Sequence, residues 1–249
     1  MRIFGLIGYP LSHSFSQKYF TEKFEKNEFV DYLYKNFEIP DIKELPKLIK
    51  DNSDLEGLNI TIPYKQQVIQ LLDDINPDTE RIGAVNTIKI TRKDDKIHLK
   101  GFNTDAFGFM ESIIPLIKPY HTKALILGTG GASKAVAYIM EKLMIEYKFV
   151  SRTPKADNHL GYDMLDSQTM NDFHVIVNTS PLGTYPNIKT YPPIPYHLLT
   201  SKHLLYDLVY NPPETAFILK GKEQGATTKN GYDMLVGQAE KAWEIWNRK

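Results

Sequence analysis

The chain contains no cysteine, no stretch of about 18 consecutive apolar residues and no excess of either charge. Each absence removes a class of function. Without cysteine there is no disulfide, no thiolate zinc site and no cysteine nucleophile. The seven histidines are scattered, with no H-E-x-x-H spacing among them, so a protein-bound metal is not expected. Without a long apolar run no membrane-spanning helix is expected. The amino terminus passes from Arg2 directly into Ile3-Phe-Gly-Leu-Ile7 without a signal-peptide pattern, which predicts a cytoplasmic chain. Lys and Arg together number 30, as do Asp and Glu, and no basic run breaks the balance. Nucleic acid and anionic membranes are therefore not the expected partners. A small molecule held by locally placed polar groups is, and the chain itself is expected as a monomer or homodimer.

What is present is an alternation of apolar runs and helical patterns through all 249 residues, enough chain for one or two cores. Strand-like runs at Ile3–Ile7, Tyr32–Ile39 and Gly57–Ile62 alternate with helical patterns at 16–26, 42–49 and 64–72. A hairpin follows, 84–91 against 96–101 across Lys93-Asp94-Asp95, and then a helix from Asp105 towards Ile117. A second series begins at Lys123, with strands 124–127, 147–150, 174–178 and 204–209, a helix to about Met144 and another over 214–224. This βαβα order predicts an α/β fold with mostly parallel sheets, the second series being of Rossmann type. The terminal stretch 233–246 is amphipathic, with Leu235, Ala239, Ala242, Trp243 and Trp246 at helical spacing, and is expected to return to the first domain. The expected domains are therefore 1–102, completed by 231–249, and 103–230. The proline-rich piece Tyr185–Pro195 reads as a loop.

Gly128-Thr-Gly-Gly-Ala-Ser-Lys-Ala135 follows an apolar strand and opens a helix. That is the setting in which Gly128, Gly130, Gly131 and Ala132 would let backbone amides approach a pyrophosphate. The third fingerprint glycine is replaced by Ser133, and a plain strand-to-helix turn is the competing reading. About 20 residues on, a site for NAD places an acidic residue on the ribose hydroxyls. Here the chain reads Val150-Ser-Arg-Thr153. Ser151, Arg152 and Thr153 supply donors and one fixed cation suited to a 2′-phosphate, so NADP is the expected cofactor. The alternative for Arg152 is a solvated loop residue.

The first half carries four further polar clusters. In Gly8-Tyr-Pro-Leu-Ser-His-Ser14, an extended backbone would turn Ser12 and Ser14 to one face, able to donate to a carboxylate; His13 would point away and reads as structural. Turn or helix-capping serines are the bland reading. In Asn59-Ile-Thr-Ile-Pro-Tyr-Lys65, Asn59 and Thr61 share a face at a strand's carboxyl end, and Pro63 is expected to start a helix that throws Lys65 over the same edge. A lysine in a first helical turn opposes the helix dipole, an argument that Lys65 serves chemistry. Gly83-Ala-Val-Asn-Thr87 and Gly101-Phe-Asn-Thr-Asp105 add Asn86 and Asp105, the latter equally suited to capping a helix. Many neutral donors and few charges suit a polyhydroxylated ligand with one carboxylate.

Taken in order, these segments resemble the shikimate dehydrogenase family over nearly the whole chain. The correspondence continues through Asn178-Thr-Ser-Pro-Leu-Gly183, Asp207-Leu-Val-Tyr-Asn-Pro212 with Thr215, and Gly231-Tyr-Asp-Met-Leu-Val-Gly-Gln238. The resemblance implies two α/β domains flanking a cleft, an N-terminal substrate domain and a C-terminal NADP domain. It implies reversible NADPH-dependent reduction of 3-dehydroshikimate to shikimate, on the route to chorismate and the aromatic amino acids. Lys65 and Asp105 would be the catalytic pair, Ser12, Ser14, Asn59, Thr61, Asn86, Tyr210 and Gln238 substrate contacts, and Thr179 and Gly231 further cofactor contacts. Two departures stand out. The family's S-P-x-x-H-N after the second serine is absent from Phe15-Ser-Gln-Lys-Tyr-Phe20, and its N-R-T is Ser151-Arg-Thr153 here, which loses an amide and keeps the cation. The alternatives are a quinate/shikimate dehydrogenase using NAD and a dinucleotide-binding sensor without turnover.

Overall fold

A computed structural model describes residues 1–11, 15–94 and 96–248. The chain divides into two compact units, Met1–Thr104 with Ala239–Lys249, and Asp105–Gln238.

The first unit comprises β1 (Arg2–Gly8), α1 (Phe15–Lys26), β2 (Tyr32–Glu38), α2 (Leu45–Asp51), β3 (Leu55–Ile60), β4 (Asp74–Ile75), α3 (Pro77–Ile82), β5 (Thr87–Lys93) and β6 (Lys96–Phe102). Its sheet has the order β2-β1-β3-β5-β6-β4. The β1 strand is parallel to both β2 and β3, the β3-β5-β6 run is antiparallel, and β4 lies parallel to β6. From Ile3 to Gly8 every residue of β1 is buried, as expected of a central strand covered on both faces. Alternation along it feeds two cores. Ile3 and Ile7 pack with Leu45 and Ile49 of α2 and with Leu58 and Ile88. Phe4 and Leu6 pack with Phe20 and Phe24 of α1 and with the last helix, α8 (Tyr232–Asn247). The α1 helix buries Ser16, Phe20 and Phe24 at intervals of four, and Lys23 and Lys26 in its last turn complement the helix dipole. The residues that α8 buries in this core are Ala239, Ala242, Ile245 and Trp246, with Trp246 stacked on Phe4 at 4.8 Å between ring centres. A Cβ at Gly57 would lie 2.3 Å from the Trp246 Nε1, so β3 admits the indole only because residue 57 is glycine. That nitrogen donates to the Ile88 carbonyl at 3.0 Å.

The second unit comprises α4 (Asp105–Ile113), β7 (Lys123–Leu127), α5 (Gly131–Lys142), β8 (Glu146–Val150), β9 (His159–Leu160), α6 (Ser167–Asp172), β10 (Val175–Asn178), β11 (Leu204–Asp207), α7 (Ala216–Glu223), β12 (Thr227–Lys229) and the first turns of α8. Its six strands are all parallel in the order β12-β11-β10-β7-β8-β9. From β7 the chain adds two strands on one side, then returns to add three on the other, which is the Rossmann order. Helices α4 and α8 cross where Gly108 meets the backbone of α8: a Cβ at 108 would lie 2.3 Å from the Met234 carbonyl oxygen and 2.8 Å from the Gln238 nitrogen. No helix among the described residues is long and apolar enough to cross a membrane.

Several elements differ from the sequence reading. The helix expected over 64–72 is only a 3₁₀ turn at Gln67–Leu71. The Lys65 carbonyl is taken by Val85 N–H at 2.7 Å, and Ile69 N–H turns to Gln66 instead, so the α-helical ladder does not form. The strand expected to reach Val209 ends at Asp207, because Val209 N–H bonds the Asp207 carboxylate. The unforeseen α3 is six residues long, capped by Asn76, opened by Pro77 and closed by Gly83 at φ 68°. Helix α8 passes from one unit to the other after Gln238, eight residues beyond the position expected from the sequence.

Trp246→Ala should destabilise the first unit by about 3–5 kcal/mol, the usual cost of deleting a buried large aromatic, read as a lowered urea midpoint by circular dichroism. An unchanged midpoint would mean that the aromatic cluster does not hold α8 in place.

Candidate active site

In the first sheet the strand order reverses at β1, which has β2 on one side and β3 on the other. Open α/β sheets gather ligands at the carboxyl ends of strands at such a point. Thr61 follows β3 there, with its N–H bonded to the Ile7 carbonyl at 2.9 Å. A Cβ at Gly8 would come within 2.5 Å of the Thr61 methyl, so the chain leaving β1 passes close over this residue. Lys65, half-buried, sits in the turn between two anchored residues: buried Tyr64, whose hydroxyl donates to the Ile39 carbonyl at 2.6 Å, and buried Val68. The expected helix start at Pro63 is not formed, and the dipole argument for Lys65 falls with it. Ser12, His13 and Ser14 lie outside the described residues.

Asn59 and Asn86 belong to one buried chain of hydrogen bonds. Asn59 Oδ1 accepts from the Tyr34 hydroxyl at 2.7 Å, and its Nδ2 donates to Thr87 Oγ1 at 3.2 Å and to the Asn86 carbonyl at 3.4 Å. Asn86 Oδ1 accepts from Thr104 N–H at 2.6 Å, and its Nδ2 donates to Thr104 Oγ1 at 3.0 Å. Tyr34, Thr87 and Thr104 were not singled out in the sequence; a phenol and two hydroxyls far apart in the chain give no local signal.

In the second unit Asp105 opens α4 and is buried, as is Gln238 on α8, whose Nε2 donates to the Leu235 carbonyl at 2.9 Å. The two are brought into one neighbourhood by the α4–α8 crossing at Gly108, one helical turn beyond Asp105. Gly108 and Gly237, which permit that crossing, were missed because close helix approach leaves no mark in hydrophobic periodicity. Tyr210, partly exposed in the loop after β11, has its phenol pKa pushed up by burial.

The second sheet reverses between β7 and β10. The glycine turn and Thr179 meet at this point. Gly128 has φ 114°, a conformation that side chains rarely adopt, and its added Cβ would lie 2.9 Å from Thr179 Oγ1. Thr179 spends both its N–H and its hydroxyl on the Leu127 carbonyl, at 3.0 and 2.8 Å. Ser133, buried, donates to the Gly130 carbonyl at 2.6 Å, which explains a serine at the third fingerprint position: it ties the turn to the helix. A Cβ at Gly130 would meet nothing within 4 Å, Gly131 begins the twelve-residue α5, and no side chain caps it. Open space before uncapped helix amides fits a pyrophosphate.

At the end of β8, Arg152 and Thr153 are exposed, whereas the Ser151 hydroxyl is turned inward, buried and without a hydrogen-bond partner. The groups offered outward are thus Arg152 and Thr153, joined by exposed Lys155, which sequence reasoning passed over. Two cations and no carboxylate within 151–155 fit a phosphorylated ribose. Gly231 is buried against the Leu208 backbone, with an added Cβ only 2.2 Å from that carbonyl oxygen, so it is required for close chain approach.

Between the second sheet's carboxyl-end loops lies the fully buried carboxylate of Asp207. It accepts from Asn178 Nδ2 at 2.9 Å, Val209 N–H at 3.0 Å and Thr215 Oγ1 at 2.5 Å. Burial pushes its pKa up to about 6 against the opposing pull of these donors.

Residues 6–88 match the family model for the shikimate dehydrogenase substrate binding domain. The chain is 35% identical to a shikimate dehydrogenase (NADP(+)) of Methanosphaera stadtmanae, over 99% of this chain and 92% of that protein. Among solved structures it is similar to shikimate 5-dehydrogenase of Thermus thermophilus in complex with NADP(H) and shikimate, at a TM-score of 0.84 and 29% identity over 99% of this chain and 94% of the other. A quinate dehydrogenase from Corynebacterium glutamicum in complex with NAD superposes at 0.86 with 25% identity, over 99% and 93%.

Because the native state raises the Asp207 pKa to about 6, above the ordinary carboxyl value near 4, it binds a proton that the unfolded chain releases. Stability from this group is present below about pH 4 and lost as pH rises through 6, on the order of 1–3 kcal/mol in all. Asp207→Asn keeps the oxygen that accepts from Asn178 and Val209, places an amide donor against Thr215 Oγ1 in place of the second accepting oxygen, and should remove that slope. Urea midpoints compared between pH 4 and 7 check this, and parallel pH profiles for the two proteins would refute it.

Proposed function

We propose that this chain, which belongs to the shikimate dehydrogenase family, catalyses the reversible NADPH-dependent reduction of 3-dehydroshikimate to shikimate. The observation that carries the reading is the position of the two residue sets. Asn59, Thr61 and Lys65 lie on or just beyond the strand beside which the first sheet reverses, and Gly128–Gly131 lie beside the reversal of the second. The unit holding residues 1–102 and the end of α8 is assigned to substrate, and residues 103–230 to cofactor. Ser12, Ser14, Thr61, Asn86, Tyr210 and Gln238 are assigned to the hydroxyls and carboxylate of the substrate. Asn59, whose amide is bonded within the unit, supports them from beneath.

Reducing a ketone requires a proton at oxygen as negative charge develops there. The Lys65 ammonium gives that proton and stabilises the forming alkoxide; in the oxidative direction its amine takes the proton back. Asp105 orients both the amine and the reacting hydroxyl, and the two residues act as one unit. NADPH, when bound, supplies the hydride to the carbonyl carbon. The glycine turn and the first amides of α5 hold its pyrophosphate, while Arg152, Thr153 and Lys155 hold the 2′-phosphate. The reading extends to a cytoplasmic enzyme, monomer or homodimer, serving chorismate and aromatic amino acid synthesis. Similarity to an NAD-bound quinate dehydrogenase keeps quinate oxidation as a second reading, against which the Arg152-Thr153-Lys155 cluster speaks.

Following NADP reduction with shikimate, and then with quinate and NAD, tests the assignment; faster turnover of quinate with NAD would reverse it. Lys65→Ala should lower kcat by roughly 10²–10⁴, with the shikimate KM less affected, and an unchanged kcat would remove Lys65 from the chemistry. Arg152→Ala should weaken NADP binding roughly ten- to hundred-fold while sparing NAD, and titration calorimetry showing equal losses would rule out a 2′-phosphate contact.

A further inference from the structure

The buried chain through Asn59 and Asn86 has a direction, and both ends of it are set by backbone groups that cannot turn round. At one end Thr104 N–H, a fixed donor, lies 2.6 Å from Asn86 Oδ1, so the oxygen of that amide must face Thr104. At the other end the Asn86 carbonyl, a fixed acceptor, lies 3.4 Å from Asn59 Nδ2, so the nitrogen of that amide must face it. Asn59 Oδ1 is then left facing Tyr34, 2.7 Å away, and the phenol must donate. Burial raises the pKa of this phenol, which keeps its proton in place, and Ser16 hydrogen-bonds the same oxygen. Thr87 Oγ1, accepting from Asn59, sends its own proton onward to Asn86 Oδ1 at 3.3 Å or Thr104 Oγ1 at 3.2 Å. Tyr34, Asn59, Asn86, Thr87 and Thr104 are each no more than 4% exposed, so bulk solvent cannot readily take over a lost partner.

We propose that Tyr34 is a positioning residue for the substrate site: its hydroxyl supplies the proton that satisfies Asn59 Oδ1 in the orientation set by the Asn86 carbonyl and, through Thr87, steadies Asn86 against Thr104. The proposal rests on the shikimate reading for its kinetic consequence. Asn86, so held, keeps its oxygen on Thr104 N–H and withholds it from a substrate hydroxyl, and Thr104 immediately precedes Asp105. Without the phenol proton, Asn59 Oδ1 is buried and unsatisfied. Rotation of its amide gives no relief, because it turns two oxygens towards each other at the Asn86 carbonyl, so the rest of the chain loosens instead.

The test uses the full chain with Tyr34→Phe, Thr87→Val and Thr87→Ser, measuring KM for shikimate and for NADP, kcat, and amide hydrogen exchange at Thr104 without substrate. Tyr34→Phe and Thr87→Val should raise the shikimate KM roughly five- to thirty-fold, the range set by one unsatisfied buried group. They should also speed Thr104 exchange and leave the NADP KM within about two-fold. Thr87→Ser, which restores the hydroxyl, should behave as wild type. A shikimate KM unmoved in folded Tyr34→Phe overturns the proposal, and so does an NADP KM that rises in parallel, since general loosening would not discriminate between ligands. If Tyr34→Phe does not fold, the two Thr87 variants decide by the same criteria. A wild-type protein inert towards shikimate would overturn the reaction instead; Thr104 exchange unchanged in the variants would then overturn the hydrogen-bond direction as well.

Discussion

A polar group taken out of water must find a partner, and that requirement governs the carboxyl edge of both units. Where parallel strands end, loops leave in different directions and the ladder stops satisfying the backbone. In the first unit Asn59, Asn86, Thr87 and Thr104 close the gap; in the second, Asn178, Asp207 and Thr215 do. Both sets are built from short side chains that bond backbone as readily as one another. Their effect is to hold loops, not strands: the Asn86 amide receives Thr104 N–H, Asp207 receives Val209 N–H, and Asn178 Oδ1 receives Ser180 N–H at 3.0 Å. Residues proposed to meet ligands therefore project from segments pinned within a residue or two of each.

The two networks differ in their electrostatics. The first is neutral throughout, and its members can be fully paired without moving a charge. The second encloses a carboxylate with three donors, yet burial still outweighs them and holds the acid form longer than usual. A neutral network costs little to keep at any pH, whereas the second makes the unit that carries the glycine turn lose stability as pH rises from about 4 through 6.

Steric constraint accounts for much of what remains. Trp246 reaches the Ile88 carbonyl only across Gly57, α4 closes on α8 only because residues 108 and 237 carry no side chain, and the glycine turn reaches Thr179 only because Gly128 tolerates φ 114°. In each case a missing side chain is matched to a specific group elsewhere in the chain. Together with the buried amides, these contacts leave the edges rigid enough for Lys65 and the α5 amides to have defined surroundings.

Period and punctuation made the main elements legible. The central strands were readable because buried parallel strands are continuous apolar runs, the helices α1 and α8 because they bury residues at four-residue spacing, and the glycine turn because it stands between a strand and a helix. The short pieces β4, α3, β9, α6 and β12 were not, since two to six residues carry no period, although Asn76, Pro77 and Gly83 marked the ends of α3 by their capping chemistry. The helix expected at 64–72 failed because a carbonyl it needed was claimed by Val85, twenty residues away. What the sequence alone determined is which residues can serve: the amine, carboxyl, amides and glycines in their local settings, each a matter of side-chain chemistry and near neighbours. Which way Asn59 and Asn86 face, that Ser151 turns inward, and that Tyr34, Thr87, Thr104 and Gly108 matter at all was decided by tertiary structure, because hydrogen-bond partners and close backbone approaches are chosen across the fold and leave no trace in local pattern.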